Sequence, residues 1–173
     1  MVALLKKGEV SPLELIDAAA DRIAEVEKTI NAMPSLCLER ARDQASRLMV
    51  QPLSDPPPHY LYGLPIAIKD LVDVAGVKTT YGSPIFAHHQ PDRSDYLVET
   101  LEANGAIVIG KSNTPEFGAG ANTFNEVFGP TRNPWKTAVT CGGSSGGSAV
   151  ALATGEVWLA DGSDLGGSLR IPA

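Results

Sequence analysis

The sequence predicts an α/β fold, on the basis of two kinds of apolar pattern and the order in which they occur. Amphipathic helical patterns occupy much of the first 50 residues and return after position 94, while short apolar runs rich in β-branched residues lie at 64–68 and 106–110. Helices that alternate with continuous apolar strands are typical of layered α/β proteins. At 173 residues the chain is long enough for one domain with a buried core.

The first long helix has a clear start signal. Ser11 can cap the helix, Pro12 suits its first turn, and Glu14 completes a capping box. Apolar residues then recur at helical spacing and predict one buried stripe, formed by Leu13, Ile16, Ala20, Ile23 and Ile30.

A second amphipathic helix is expected over about 36–49. The connector QPLSDPPPHY that follows is too rich in proline to continue it. The next run, 64–68, is short and apolar, so we predict a buried strand with Lys69 at its exit.

A third helix should begin at Ser94 as its cap and end at Asn104-Gly105. Its predicted inner face consists of Leu97, Val98 and Leu101. The run at 106–110 then predicts a second buried strand.

The glycine-rich tail, 141–173, carries too many apolar residues for a flexible linker. We predict a helix near 147–154 and a buried strand near 157–160, which join two tight glycine turns. Each turn presents one serine, Ser144 or Ser168.

Composition excludes several classes of protein. A net charge of −6 argues against nucleic acid as a general partner, and no apolar run is long enough to span a membrane. Cys37 and Cys141 form no motif together. Reduced thiols in a cytoplasmic protein are the simpler interpretation, although a disulfide stays open. The three histidines lack the spacing of metal ligands, so we expect no metal site.

One motif suggests nucleotide binding but does not fit it physically. GAIVIGKS, 105–112, matches the P-loop pattern, whose middle residues must curl around phosphate. Here those residues are strand formers, and Pro115 falls where the phosphate-binding helix should already run. We therefore interpret Lys111 as a strand-end lysine.

Three polar residues have neighbours that suit catalysis: Lys69, Ser144 and Ser168. Glycines beside a serine allow close approach of a substrate to backbone N–H groups, and a serine nucleophile needs a base. A lysine that leaves a buried strand can become neutral through desolvation and serve as that base. Taken alone, such serines are more often turns, and Lys69 beside Asp70 is more often a surface ion pair.

Four blocks of sequence, GLPIAIKD, GPTRNPW, GGSSGGSAVALATG and DGSDLGGSLRIPA, together resemble the amidase signature family of serine hydrolases. The resemblance runs from about Ser11 to the last residue, with the blocks in the family's order and spacing. It implies a mixed sheet with helices on both faces, incomplete in this chain. We expect 1–173 to be the N-terminal part of one such domain, with a helical lead-in over 1–50 and a catalytic core segment over 61–173.

The resemblance also assigns roles to individual residues. Ser168 becomes the nucleophile, Ser144, held by a cis peptide bond, passes on its proton, and Lys69 is the neutral base. The oxyanion hole is expected from the N–H groups of Leu165, Gly166, Gly167 and Ser168. Ser145, Asp164 and Arg170 match positions that orient the loop. GPTRNPW is expected to be a turn on which Trp135 packs, and Cys141, where the family more often has proline, a packing residue.

The implied activity is hydrolysis of a carboxylic amide, not a peptide bond, through a seryl acyl-enzyme without cofactor or metal. The expected partner is a small-molecule amide, and we expect no association with a membrane. For a full-length protein, a homodimer stays open. Because the family's domain is far longer than this chain, we expect little activity from these 173 residues alone. Unpaired strand edges should also make the chain prone to aggregation.

Two alternatives stay open. The A subunit of glutamyl-tRNA(Gln) amidotransferase resembles the chain in the same blocks, and would bring contact with nucleic acid. Its sequences tend to have threonine and glutamine where this chain has Leu165 and Ile171, which favours a free-standing amidase. The other alternative is an inactive remnant or binding fragment.

Overall fold

A four-stranded sheet lies at the centre of the structure, a computed structural model that describes all 173 residues. The chain contains five α-helices: α1 (Val2–Lys7), α2 (Pro12–Ile30), α3 (Leu38–Val50), α4 (Tyr96–Ala103) and α5 (Gly146–Ala153). The strands are β1 (Ser35–Leu36), β2 (Pro65–Lys69), β3 (Ile107–Ser112), β4 (Phe124–Asn125), β5 (Gly129–Pro130) and β6 (Leu159–Ala160). Short 3₁₀ turns lie at Pro84–Phe86 and Glu116–Gly118.

The central sheet is mixed, as the resemblance implied. Its strand order is β1-β3-β2-β6, and β4 and β5 form a separate ribbon. β2 runs parallel to both of its neighbours, whereas β1 is antiparallel to β3. The carboxyl ends of β2, β3 and β6 therefore meet at one edge of the sheet, where α/β proteins commonly place their sites.

Helices cover both faces of this sheet. One apolar cluster packs α2, α3 and α5 against Ala67, Ile107 and Ile109. A second cluster packs α1 and α4 against Ile66, Ile68 and Val108. Strands that are buried on both faces read as continuous apolar runs, which explains why the sequence predicted them correctly.

The start of α2 forms the predicted capping box. The Glu14 N–H donates to the Ser11 hydroxyl at 3.2 Å, and the Ser11 N–H donates back to the Glu14 carboxylate at 2.8 Å. The buried stripe was partly wrong, because Leu13 and Ala20 are only half-buried. Leu15 and Ala19 are buried instead, since α2 contributes to both apolar clusters.

The other predicted helices differ at their starts. The N-cap of α4 is Asp95, while the Ser94 hydroxyl accepts the Ala75 N–H at 2.9 Å and so holds a neighbouring loop. Leu97 is exposed rather than on the inner face, which Val98 and Leu101 form. α3 begins after β1, whose pairing with β3 the sequence did not predict, and α1 was also missed.

The middle of the P-loop pattern is strand, as its residue types predicted, with β3 extending through Lys111 and Ser112. The predicted tail helix is α5, while the strand after it is limited to Leu159–Ala160. This strand is not buried as predicted, because it lies at the edge of the sheet. None of the five helices combines the length and apolar character that crossing a bilayer requires.

Glu156, which follows α5, gives the fold a pH-dependent stability. Its side chain is fully buried, one carboxyl oxygen accepts the Thr154 hydroxyl at 2.6 Å, and the other has no hydrogen-bond partner. Burial, reinforced by the nearby Glu27, raises its pKa from an ordinary 4.5 to about 7. Between those values the folded chain keeps a proton that the unfolded chain has released, so stability should fall as pH rises through this window.

We expect Glu156→Gln to remove that loss. In urea unfolding measured from pH 4 to pH 8, the variant should gain stability relative to the unaltered chain as pH rises, because its buried amide does not ionise. Glu126→Gln, at an exposed glutamate, is the matched control and should leave the profile unchanged. Parallel profiles for the Glu156→Gln variant and the unaltered chain would contradict the prediction.

Candidate active site

The amine of Lys69 lies at the carboxyl edge of the sheet, surrounded by serine hydroxyls. Lys69 is the last residue of β2 and is only 1% exposed. Its Nζ lies 2.7 Å from the Ser144 hydroxyl oxygen, 2.9 Å from that of Ser145 and 3.1 Å from that of Ser163. The sheet thus brings together residues that are far apart in the sequence.

Ser144 and Ser145 reach this point because they directly precede α5. The Gly143–Ser144 peptide bond is cis, as the resemblance implied. Gly147, in the first turn of α5, lies so close to the end of β3 that a Cβ atom would stand 2.3 Å from the Asn113 nitrogen. Glycine therefore allows the helix to bring both serines against the sheet.

The environment of Lys69 favours its neutral form. Burial lowers the pKa of the amine to about 8, against the opposing effect of Asp161. Desolvation disfavours the ammonium ion, so a larger fraction of the amine is neutral near physiological pH than for an exposed lysine. A neutral amine can accept a proton from Ser144, which is the property that the sequence suggested.

Two residues of this site were missed by the sequence analysis. Asp161 follows β6, and its carboxylate accepts the backbone N–H of Lys69. Burial raises the pKa of this carboxyl group. Ser163 lies two residues further on and is hydrogen-bonded to Lys69. The position of both residues could have been predicted, because polar residues that follow β6, a strand parallel to β2, must lie near the end of β2.

The loop that carries Ser168 is organised around Asp164. The Asp164 carboxylate accepts the N–H groups of Gly167 at 2.7 Å and Leu169 at 3.0 Å, and the Arg170 guanidinium at 2.8 Å. These hydrogen bonds, that of Arg170 first, hold the pKa of Asp164 well below its ordinary value. The charged carboxylate of Asp164 therefore holds together the turn that carries Ser168.

Ser168 is attached to the lysine site through its backbone. The Ser145 N–H donates to the Ser168 carbonyl at 3.1 Å. No hydrogen bond joins the Ser168 hydroxyl to Ser144. The structure therefore contains the first hydrogen bond of the expected proton relay, between Lys69 and Ser144, but not the second, between Ser144 and Ser168. Gly167 also differs from expectation, because its N–H donates to Asp164. The N–H groups of Leu165, Gly166 and Ser168 have no protein acceptor.

The family model described as Amidase matches residues 14–173.

The chain belongs to the amidase signature family.

Three relatives show how close this membership is. The glutamyl-tRNA(Gln) amidotransferase A subunit from Geobacillus kaustophilus is 46% identical over 98% of the chain and 35% of that protein. The structure of a bacterial aryl acylamidase is 32% identical with a TM-score of 0.91, over 99% of the chain and 36% of the other. That of 6-aminohexanoate cyclic dimer hydrolase is 35% identical with a TM-score of 0.88, over 99% and 34%. The chain spans about a third of the length of the curated relatives it matches.

Cys141 and Trp135 of this amidase family member were both predicted from the sequence to be packing residues. Cys141 is buried in the cluster with α2, α3 and α5, where its thiol donates to the Thr131 carbonyl at 3.4 Å, so it packs as predicted. Trp135 does not pack as predicted, because it is 84% exposed. It lies at the rim of a groove of about 790 Å³ whose other walls include Ser145, Asp161 and Leu169.

Proposed function

We propose that this chain carries the reacting groups of a serine amidase that hydrolyses a carboxylic amide, outside peptide bonds, through a seryl acyl-enzyme. The observation that supports this most directly is the buried Lys69 amine, 2.7 Å from the Ser144 hydroxyl. The three serine hydroxyls satisfy the N–H donors of the buried amine. One of them, Ser144, is also placed to pass a proton to the amine, and a serine nucleophile needs such a base.

In the proposed reaction the neutral Lys69 amine accepts a proton from Ser144, which accepts one from Ser168. The Ser168 oxygen attacks the amide carbon and forms a tetrahedral intermediate. The unoccupied N–H groups of Leu165, Gly166 and Ser168 stabilise its oxyanion, and each such donor contributes about 10²–10³-fold to rate in well-studied hydrolases. The proton returns through Ser144 to the departing ammonia or amine, and water then hydrolyses the acyl-enzyme.

A second function is favoured by one comparison, the 46% identity to an amidotransferase A subunit. The same acyl-enzyme chemistry would then release ammonia from glutamine for a partner subunit. Against this, Leu165 places an exposed apolar side chain three residues before the nucleophile, where the resemblance suggests threonine in amidotransferases. Hydrolysis of glutamine that depends on added amidotransferase subunits would select this second function.

A fluorophosphonate probe tests whether the site is formed, since it reacts only with an activated serine. We expect covalent labelling of the native chain, mapped to Ser168 by mass spectrometry of the digested protein and absent after Ser168→Ala. Denaturation before labelling is the control and should abolish it. Absence of native labelling would favour an inactive remnant or binding fragment.

The rate of this labelling should depend on pH through the Lys69 amine. Because only the neutral amine accepts a proton, and burial lowers its pKa to about 8, the rate should rise with pH and level off above that value. First-order labelling rates measured from pH 6 to pH 10 give the profile. An acid limb near pH 6.5 would instead point to a histidine base.

A further inference from the structure

A second buried lysine lies beside the site, and the proposed mechanism does not use it. Lys111 is fully buried on β3, whose register places it opposite Ile68, while Ser112 lies opposite Lys69. Successive residues of a strand point to opposite faces. Lys111 and Lys69 therefore lie on opposite faces of the sheet, and Lys111 cannot take the place of the base.

The partners of Lys111 all belong to the segment that follows Lys69. Its amine lies 3.3 Å from the Asp70 carboxylate and donates to the Val72 carbonyl and the Thr79 hydroxyl, each at 2.7 Å. Adjacent lysine and aspartate residues such as Lys69 and Asp70 more often form a surface ion pair. Asp70 is instead 1% exposed and paired with Lys111.

Asp70 is fixed from other directions as well. Its carboxylate accepts the Thr80 N–H at 3.1 Å and the Thr80 hydroxyl at 2.5 Å, and its own N–H donates to the Ser112 carbonyl at 2.9 Å. The residue directly after Lys69 is thus held through both its side chain and its backbone. On its other side, the backbone N–H of Lys69 is held by Asp161.

We propose that Lys111 and Asp70 are positioning residues, whose buried ion pair fixes the end of β2 so that the Lys69 amine meets Ser144. This inference rests on the proposed function of Lys69. A buried ion pair is weak support for stability, because desolvation of both charges offsets their attraction. A misplacement of about 1 Å at a reacting group can lower rate about 100-fold, so the pair has its main effect through geometry.

The test uses the double variant Lys111→Met/Asp70→Asn, which removes both charges while keeping side-chain volume and so leaves no unpaired buried ion. We expect a folded chain with a labelling rate about 10- to 100-fold lower. The acid limb of its pH profile should move above that of the unaltered chain, because a displaced amine is better hydrated. The charged group that acts on the pKa of Lys69 is Asp161, which both variants retain. The carboxylates that act on the pKa of Lys111 are Asp70, Asp73 and Asp161. Lys136→Met, at an exposed lysine, is the control and should change neither quantity.

A readout independent of activity separates this inference from the proposed function. With ¹³C at the lysine ε-carbons, the Lys69 resonance is identified by its loss in Lys69→Met, and its titration is followed by NMR. The midpoint should rise in the double variant. If the double variant does not fold, Thr80→Val replaces it, because this change removes a hydrogen bond to the Asp70 carboxylate and leaves both buried charges paired. An unchanged midpoint and labelling rate in a folded variant would overturn the positioning role. If Ser168 of the unaltered chain is not labelled, the proposed function fails, while the NMR titration still decides this inference.

Discussion

Replacement of Lys69 by methionine is expected to lower the rate of fluorophosphonate labelling at Ser168 by about 10²–10⁴-fold, the usual contribution of a general base. Methionine keeps most of the volume of the lysine stem and suits its buried position. It removes only the amine that lies 2.7 Å from the Ser144 hydroxyl. A serine without a base has the low reactivity of an ordinary hydroxyl group.

Two controls make this result specific. Lys136→Met removes an exposed lysine and should label at the unaltered rate. Circular dichroism and thermal unfolding of the Lys69→Met variant should match those of the parent chain, because the cost of burying the amine offsets its hydrogen bonds and its attraction to Asp161. Labelling of a folded Lys69→Met variant at the parent rate would show that Lys69 is not the base.

Gly147→Ala is expected to have the largest effect on stability of the substitutions considered. A Cβ atom at this position would lie 2.3 Å from the Asn113 nitrogen and 2.8 Å from the Ala32 carbonyl oxygen. Both are backbone atoms and cannot rotate away, so α5 must move off the sheet. Overpacking of this kind costs about 1–3 kcal/mol, and the better helix propensity of alanine returns about 1 kcal/mol at most.

We therefore expect a lower free energy of unfolding in urea by about 1–2 kcal/mol, together with slower labelling at Ser168. Gly166→Ala is the matched control for stability, since no atom lies within 4 Å of its added Cβ. Equal stability of the two variants would show that α5 adjusts its packing without strain.

The parts of the fold that could be predicted from sequence are those with local signals. The capping box at Ser11 and Glu14 is complete within four residues, and the glycines in the first turn of α5 mark its close approach to the sheet. The strands β2 and β3 could be predicted from their apolar runs because both faces of each strand are buried. Local chemistry was sufficient for these elements.

The errors concern partners that only the tertiary structure brings together. Asp70 pairs with Lys111 because of the register of two strands, which no spacing in the sequence reveals. Leu97 is exposed because the packing of α4, rather than its periodicity, decides which side faces the sheet. Asp161 reaches Lys69 only because β6 lies next to β2.

The hydrogen bonds around Lys69 also bear on how the protein is made. They join residues 75, 76 and 94 positions apart, and contacts between such distant residues form late in folding because long loops must close first. Lys69 leaves the ribosome well before these serines do. Until they arrive its amine is hydrated and carries the ordinary lysine charge, with a pKa of about 10.4. The nascent chain therefore lacks the buried lysine that the proposed proton relay requires, and this arrangement forms only when folding brings the serines to Lys69.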